Sequence, residues 1–227
     1  MKPLRSSLAG AAALRAVLAV RLWSLVARVR LRAHGASVGR GLRVRGPLHI
    51  HCHRTGAIRI GADCRIQSGF AGNPVGSGSR MAIWVGAGGC LALGDRVGLS
   101  NSTIVCMSAV SIEDDAFVGG GSGIYDTDFH SLHAGERGRL GNPGARTAPV
   151  SVGRRAFVGG HSILLKGVAI GEEAVIGAGS VVRSHVPARE VWAGNPAVFL
   201  RELRVEASGS RERRCHGPRL VASGAAE

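Results

Sequence analysis

From Val152 to Pro187 one short pattern returns every six residues without a slip. Val152, Val158, Leu164, Ile170, Ile176 and Val182 are all aliphatic, and glycine follows four of them (Gly153, Gly159, Gly171, Gly177). Four places after each stands a small or β-branched residue: Ala156, Ser162, Val168, Ala174, Ser180 and Val186. A period of six matches neither the 3.6 residues of a helical turn nor the alternation of a simple strand. It is the signature of a parallel β-helix of hexapeptide repeats, in which each short strand sends one aliphatic side chain into a narrow prism and a small residue lets the chain turn the corner.

The rest of the composition agrees. Thirty-five glycines and only nine aromatics (five Phe, three Trp, one Tyr) suit a thin solenoid core with little room for rings. The net charge of +14 points to an anionic partner, whether nucleic acid, membrane surface or small ligand. No aromatic residues interleave with the basic ones, and no zinc-finger or helix-turn-helix spacing occurs, which argues against nucleic acid. The five cysteines include no C-x-x-C pair, the usage of a reducing, cytoplasmic compartment.

The chain divides into four parts. Residues 1–34 are expected to hold a basic amphipathic helix from about Leu8 to Arg32, after a loose start over 1–7. Its stripe is Leu14, Leu18, Leu22, Leu25 and Val29. Arg15, Arg21 and Arg28 interrupt any run long enough to span a bilayer. The helix either caps the open end of the β-helix with that stripe or lies on an anionic membrane surface over residues 8–32. Residues 35–197 form the β-helix; the rhythm is weak at first (Val38, Val44, Ile50, Ile60, Ile66) and firmer from Val85 onward. Two excursions leave it, at 70–82 and, extruded further, at 125–151. A short basic helix is expected over 198–206 and a disordered tail over 207–227. His49, His51 and His53 alternate along one strand face, which reads as a metal site or simply as outward polar positions; no fourth ligand lies near.

Long excursions from a compact repeat usually carry function. The second one contains Asp126-Thr127-Asp128-Phe129-His130, a histidine and two carboxylates within five residues. Histidine is suited to accept a proton near neutral pH. No nucleophile-elbow serine or cysteine appears, so a covalent intermediate is not indicated.

Taken together, V-G-L-S-N-S-T-I (97–104), I-Y-D-T-D-F-H-S-L (124–132), F-V-G-G-H-S-I-L-L-K-G-V-A-I-G (157–171), V-I-G-A-G-S-V-V (175–182) and W-A-G-N-P-A (192–197) resemble the hexapeptide-repeat acyltransferases. Those are all-β proteins built on a left-handed parallel β-helix, and the likeness is greatest to the sugar O-acetyltransferases of capsule, colanic acid and O-antigen synthesis. The resemblance spans about residues 35–205. It implies direct transfer of acetyl from acetyl-CoA to a hydroxyl of a polysaccharide or its precursor, in a ternary complex. His130 matches the general base, with Asp128 as its orienting carboxylate. Gly160 and Ala178 match positions whose backbone holds the thioester and pantetheine. Arg183, Ser184 and Arg201 fall where relatives meet the CoA phosphates, although Ser184 replaces a common lysine. Asn101 falls near the acceptor-binding asparagine. The family's homotrimer would place each active site between neighbours. The alternatives are another acceptor (an amino sugar, serine or an antibiotic), a non-catalytic scaffold, or a metal protein like the γ-class carbonic anhydrases. No metal is expected for acyl transfer.

Overall fold

A computed structural model describes residues 2–76, 80–141 and 143–204, with only the backbone for residues 2–12. The expected tail over 207–227 lies outside the described residues. Three parallel sheets wrap into a prism. The first holds Ser37–Val38, Ala57–Ile60, Cys90–Leu93, Ala109–Ile112, Val150–Val152 and Ala169–Ile170. The second runs Arg43–Arg45, Arg65–Gln67, Gly98–Ser100, Phe117–Val118, Phe157–Val158 and Val175–Ile176. The third holds His49–Cys52, Ala82–Val85, Thr103–Cys106, Gly123–Tyr125, Ile163–Leu164 and Val181–Val182. The chain visits them in turn, so each coil stacks on the last and like residues align: Leu99, Val118, Val158 and Ile176 form one inward column.

All six repeat positions from Val152 to Val182 are buried, as the periodicity requires. The small corner residues also have a hydrogen-bonding task. Ser162 and Ser180 both donate to the Gly177 carbonyl, at 3.1 and 2.6 Å, inside the corner where the second sheet passes to the third. The early coils use four-residue strands with two inward residues each, such as Ile50 and Cys52 or Ile58 and Ile60. That widening explains the weak six-residue rhythm there.

α1 (Lys2–Ala33) begins earlier than expected and covers the loose start. It does cap the prism, but with the opposite face from the apolar stripe. Ala27 and Leu31 are buried and Trp23 packs against the core. Ser24 Oγ accepts the Val44 N–H at 2.9 Å, and Arg28 and Arg30 donate to the carbonyls of Gly39 and Leu48. The open end of a coil presents backbone polar groups as well as apolar side chains, so a mixed face fits it better than a leucine stripe. Leu14, Leu18, Leu22, Leu25 and Val29 are each more than half exposed. No helix of the described residues is long and apolar enough to cross a membrane.

The other end also departs from expectation. Glu190–Gly194 adds to the second sheet, the Gly194-Asn195-Pro196-Ala197 turn follows, and Ala197–Glu202 returns as an antiparallel strand. The expected helix from Val198 is therefore a strand. Ala197-Val198-Phe199-Leu200 is β-prone, and pairing satisfies the backbone of the exposed sheet edge, which a helix would leave bare.

Candidate active site

Each coil turns three corners, and stacking makes three edges of different chemistry. Along the edge from first to second sheet the corner N–H groups are capped by carboxylates: Ala62 N–H by Asp95 (2.7 Å), Asp95 N–H by Asp114 (2.8 Å) and Arg154 N–H by Glu113 (3.0 Å). Ion pairs of Arg96, Arg154, Arg155 and Arg189 run along the same edge.

On the edge from second to third sheet, Asn101 and Ser180 cap the N–H groups of Gly69 (2.7 Å) and Gly194 (3.1 Å) at the two ends, and the coils between are bare. Gly119-Gly120, Gly159-Gly160 and Gly177-Ala178 stack there on successive coils, and among the described residues no acceptor meets the N–H of Gly120, Gly160 or Ala178. Glycine is required by the approach of the coils: a Cβ on Gly159 would lie 2.5 Å from the Ala178 nitrogen. The excursion at 70–82 arises one coil before Asn101 on this edge and folds back over it. Asn101, 2 % exposed and at φ 38°, accepts the Gly69 N–H (2.7 Å) and donates to the carbonyls of Asn73 (2.6 Å) and Val75 (2.9 Å). Val75 then stands against Gly120 and Gly160. A groove of about 490 Å³ results, walled by Asn73, Val75, Phe117, Phe157 and Gly160.

The edge from third to first sheet carries the second excursion. Its neck is a short antiparallel ribbon: Thr127 pairs with Thr147, and Asp128 N–H reaches Arg146. Asp126 is fully buried at the base and caps the N–H groups of Met107 and Ser108, both at 2.7 Å. The same carboxylate and, above all, burial push the Cys106 thiol up to about 12. Asp128 Oδ1 pairs with Lys166 Nζ at 3.0 Å, and the Asp128 carbonyl accepts the His130 N–H at 2.7 Å. His130 itself is exposed, two residues beyond that anchor. Inside the loop Ser131 donates to Glu136 at 2.6 Å, at the single helical turn Ala134–Arg137. Between the loop and the outer face of the third sheet lies a mostly apolar hollow of about 570 Å³, lined by Trp84, Val105, Met107, Thr127 and Phe129.

The residues named from sequence therefore fall into groups. Gly160 and Ala178 come together on the bare edge, joined by the Gly179 N–H to Gly160 carbonyl bond at 2.9 Å. His130 and Asp128 share the loop edge with Arg183 and Ser184, which turn the same corner one coil beyond Lys166. The third sheet separates these two groups within one chain. Arg201 lies on the terminal strand. Two of these side chains have partners within the fold. Asn101 directs its carboxamide to loop backbone and so pins the groove wall. Asp128 directs a carboxylate oxygen to Lys166 and reaches His130 through the backbone. Lys166 and Trp84 were not visible as site residues, because only stacking brings them to the loop. Of the three alternating histidines, His51 stacks on Trp84 at 3.8 Å and His53 bonds Thr55, and among the described residues no three His, Cys, Asp or Glu side chains come together as a metal site.

A family model described as the hexapeptide repeat of succinyl-transferase matches residues 109–124 and 149–184. The γ carbonic anhydrase 1 of Arabidopsis thaliana mitochondria is 31 % identical over 134 residues, 58 % of this chain and 45 % of that protein. A second, γ carbonic anhydrase 2, is 45 % identical over 53 residues, 22 % and 19 % of the two chains. The chain thus spans less than half the length of these curated relatives. Among solved structures, an N-acyltransferase from Bacillus cereus in complex with dTDP and 3-hydroxybutyryl-CoA superposes with a TM-score of 0.61 at 18 % identity, covering 78 % of this chain and 88 % of that one. A hexapeptide-repeat-containing acetyltransferase from Vibrio cholerae, complexed with acetyl-CoA, gives 0.53 at 22 % identity over 78 % and 76 %. These likenesses establish the fold.

Proposed function

We propose that this chain is an acetyl-CoA-dependent acyltransferase on a left-handed β-helix, transferring acetyl to a hydroxyl of a cell-surface sugar or its precursor. The observation that carries the reading is the bare stretch of this edge: three backbone N–H groups, at Gly120, Gly160 and Ala178, aligned on consecutive coils and without acceptors among the described residues. An extended donor arm containing amides suits such a column, and an N–H beside a thioester carbonyl stabilises the oxyanion that forms during attack. His130 takes the proton of the acceptor hydroxyl, whose oxygen forms the new ester bond as the thiolate of CoA leaves; that proton can then pass to the thiolate. The third sheet separates His130 from Gly160 within one chain, so the base of one subunit serves the groove of its neighbour in a homotrimer. Arg183, Ser184 and Arg201 would lie toward the nucleotide end of the donor.

The two solved neighbours are described with CoA donors, and the Bacillus cereus enzyme with a dTDP nucleotide, which supports a nucleotide-linked sugar as acceptor. The same B. cereus enzyme, in a variant, is described with an amino sugar, so an amine acceptor belongs in the trial. A second reading, a metal-dependent hydratase, is favoured by the γ carbonic anhydrase relatives. One experiment separates them: CoA release from acetyl-CoA against nucleotide sugars, amino sugars and lipid-linked glycans, with His130→Ala as control and zinc content measured on the same sample. Stoichiometric zinc without CoA release would sink the acyltransferase reading.

A further inference from the structure

Charge is distributed very unevenly along this chain. Residues 1–62 contain twelve lysines and arginines and not one aspartate or glutamate, so this segment supplies nearly all of the net charge of +14. It comprises α1 and the coil that α1 caps. Between them runs a groove of about 690 Å³, and four arginines line it: Arg21 and Arg28 from the helix, Arg43 and Arg45 from the first strand of the second sheet. Among the described residues none of the four meets a carboxylate; Arg28 is bonded to the Gly39 carbonyl. Val17 and Leu25 form part of the same groove and also belong to the exposed apolar face of α1. The outward face thus carries Leu14, Leu18, Leu22 and Val29 beside a cluster of guanidinium groups.

We propose that this groove is a binding site for the phosphate headgroup of an anionic phospholipid, and that α1 docks the capped end of the prism on such a membrane surface. The leucine stripe enters the boundary between headgroups and acyl chains while the arginines pair with phosphates. Charge selects this occupant. A second copy packed on the stripe would bring Arg15, Arg21 and Arg32 against their own counterparts with no acidic residue in the segment to offset them. The inference is independent of the acyl-transfer reading, since it uses neither edge of the candidate active site.

Flotation of the full chain with vesicles tests it. Binding is expected to phosphatidylcholine vesicles containing phosphatidylglycerol, to be absent with phosphatidylcholine alone, and to fall as sodium chloride is raised. Arg43→Ala and Arg45→Ala should each weaken binding about fivefold, the equivalent of about 1 kcal/mol per arginine at the surface. Leu18→Glu with Leu22→Glu, both at exposed positions, should abolish it while the circular dichroism spectrum and oligomeric state stay unchanged. Equal binding to both vesicle types, or none to either, overturns the proposal. So does inorganic phosphate binding with the same arginine dependence but without vesicle binding, which would make the groove a soluble-anion site. Loss of an oligomer in the leucine variant would instead mean that a second copy covers the stripe.

Discussion

Asn101 offers a sharp separation between holding the site and touching the acceptor. Among the described residues its carboxamide makes three hydrogen bonds to the loop that walls the groove beside Gly160, at 2.7, 2.6 and 2.9 Å, from a position that is 2 % exposed. At about 1 kcal/mol net for each bond, Asn101→Ala should destabilise the folded chain by about 3 kcal/mol. In a chain of this size that lowers the melting temperature by about 6–12 °C at fixed protein concentration. The residue also sits at φ 38°, in the left-handed region that asparagine and glycine tolerate and alanine does not. Asn101→Gly loses the same bonds without that conformational penalty, so it should be about 1 kcal/mol less damaging. Because Val75 stands against Gly160, both variants should raise the KM for the acyl donor. Thermal unfolding and initial rates with each substrate varied would check this. If Asn101→Ala melted like the wild type and raised only the acceptor KM, the pin would be refuted and acceptor binding restored.

Other consequences follow from the loop edge. His130→Ala should lower kcat by about 10²- to 10⁴-fold with little change in donor KM, and mixing it with an Ala178→Asp chain should restore activity in hetero-oligomers if the site is shared between subunits. Lys166→Met leaves the Asp128 carboxylate unpaired at the neck of the His130 loop, so amide exchange at 127–133 should quicken and kcat fall by about tenfold; a double-mutant cycle with Asp128→Asn should show coupling of about 0.5–3 kcal/mol. Burial raises the Cys64 and Cys106 thiols, so in the native protein iodoacetamide at pH 8 should label the partly exposed Cys90 well before either of them, as peptide mass spectrometry would read.

The prism was legible because its inward positions depend only on local order: every six residues the chain must present another aliphatic side chain, and Val152 to Val182 do so. What sequence could not supply was the partner of each outward residue. Lys166 and Asp128 are far apart along the chain, yet stacking places them one coil apart on one edge. Periodicity found the leucine stripe of α1 but not which face meets the coil. The deciding groups are the Val44 N–H and the carbonyls of Gly39 and Leu48, which want Ser24, Arg28 and Arg30 rather than leucine. The terminal strand was misread for a similar reason. The basic stretch over 198–206 read as a short helix, while the unpaired edge at Glu190–Gly194 drew Ala197–Glu202 into the sheet.

The molecule contains its own control for the claim that the bare edge serves a ligand. Ala62 and Asp95 are stacked partners two residues beyond the inward pair Ile60 and Leu93, and Asp95 caps the Ala62 N–H at 2.7 Å. Gly160 and Ala178 hold the same relation to Val158 and Ile176 on the second-to-third edge, and among the described residues no side chain caps the Gly160 N–H. Ala178→Asp should therefore reproduce the cap, placing a carboxylate on the Gly160 N–H and stabilising the fold by about 1–2 kcal/mol. Ala178 is exposed, so the new side chain meets no packing obstacle. If the open N–H groups receive the donor, the same change should raise donor KM at least about tenfold, the common trade of activity for stability at a functional site. Thermal melts and CoA-release kinetics on one preparation would read both effects. A variant that is more stable and keeps the wild-type donor KM would mean that the bare edge has no part in binding the donor. In that case the acyltransferase assignment would lose the observation on which it stands.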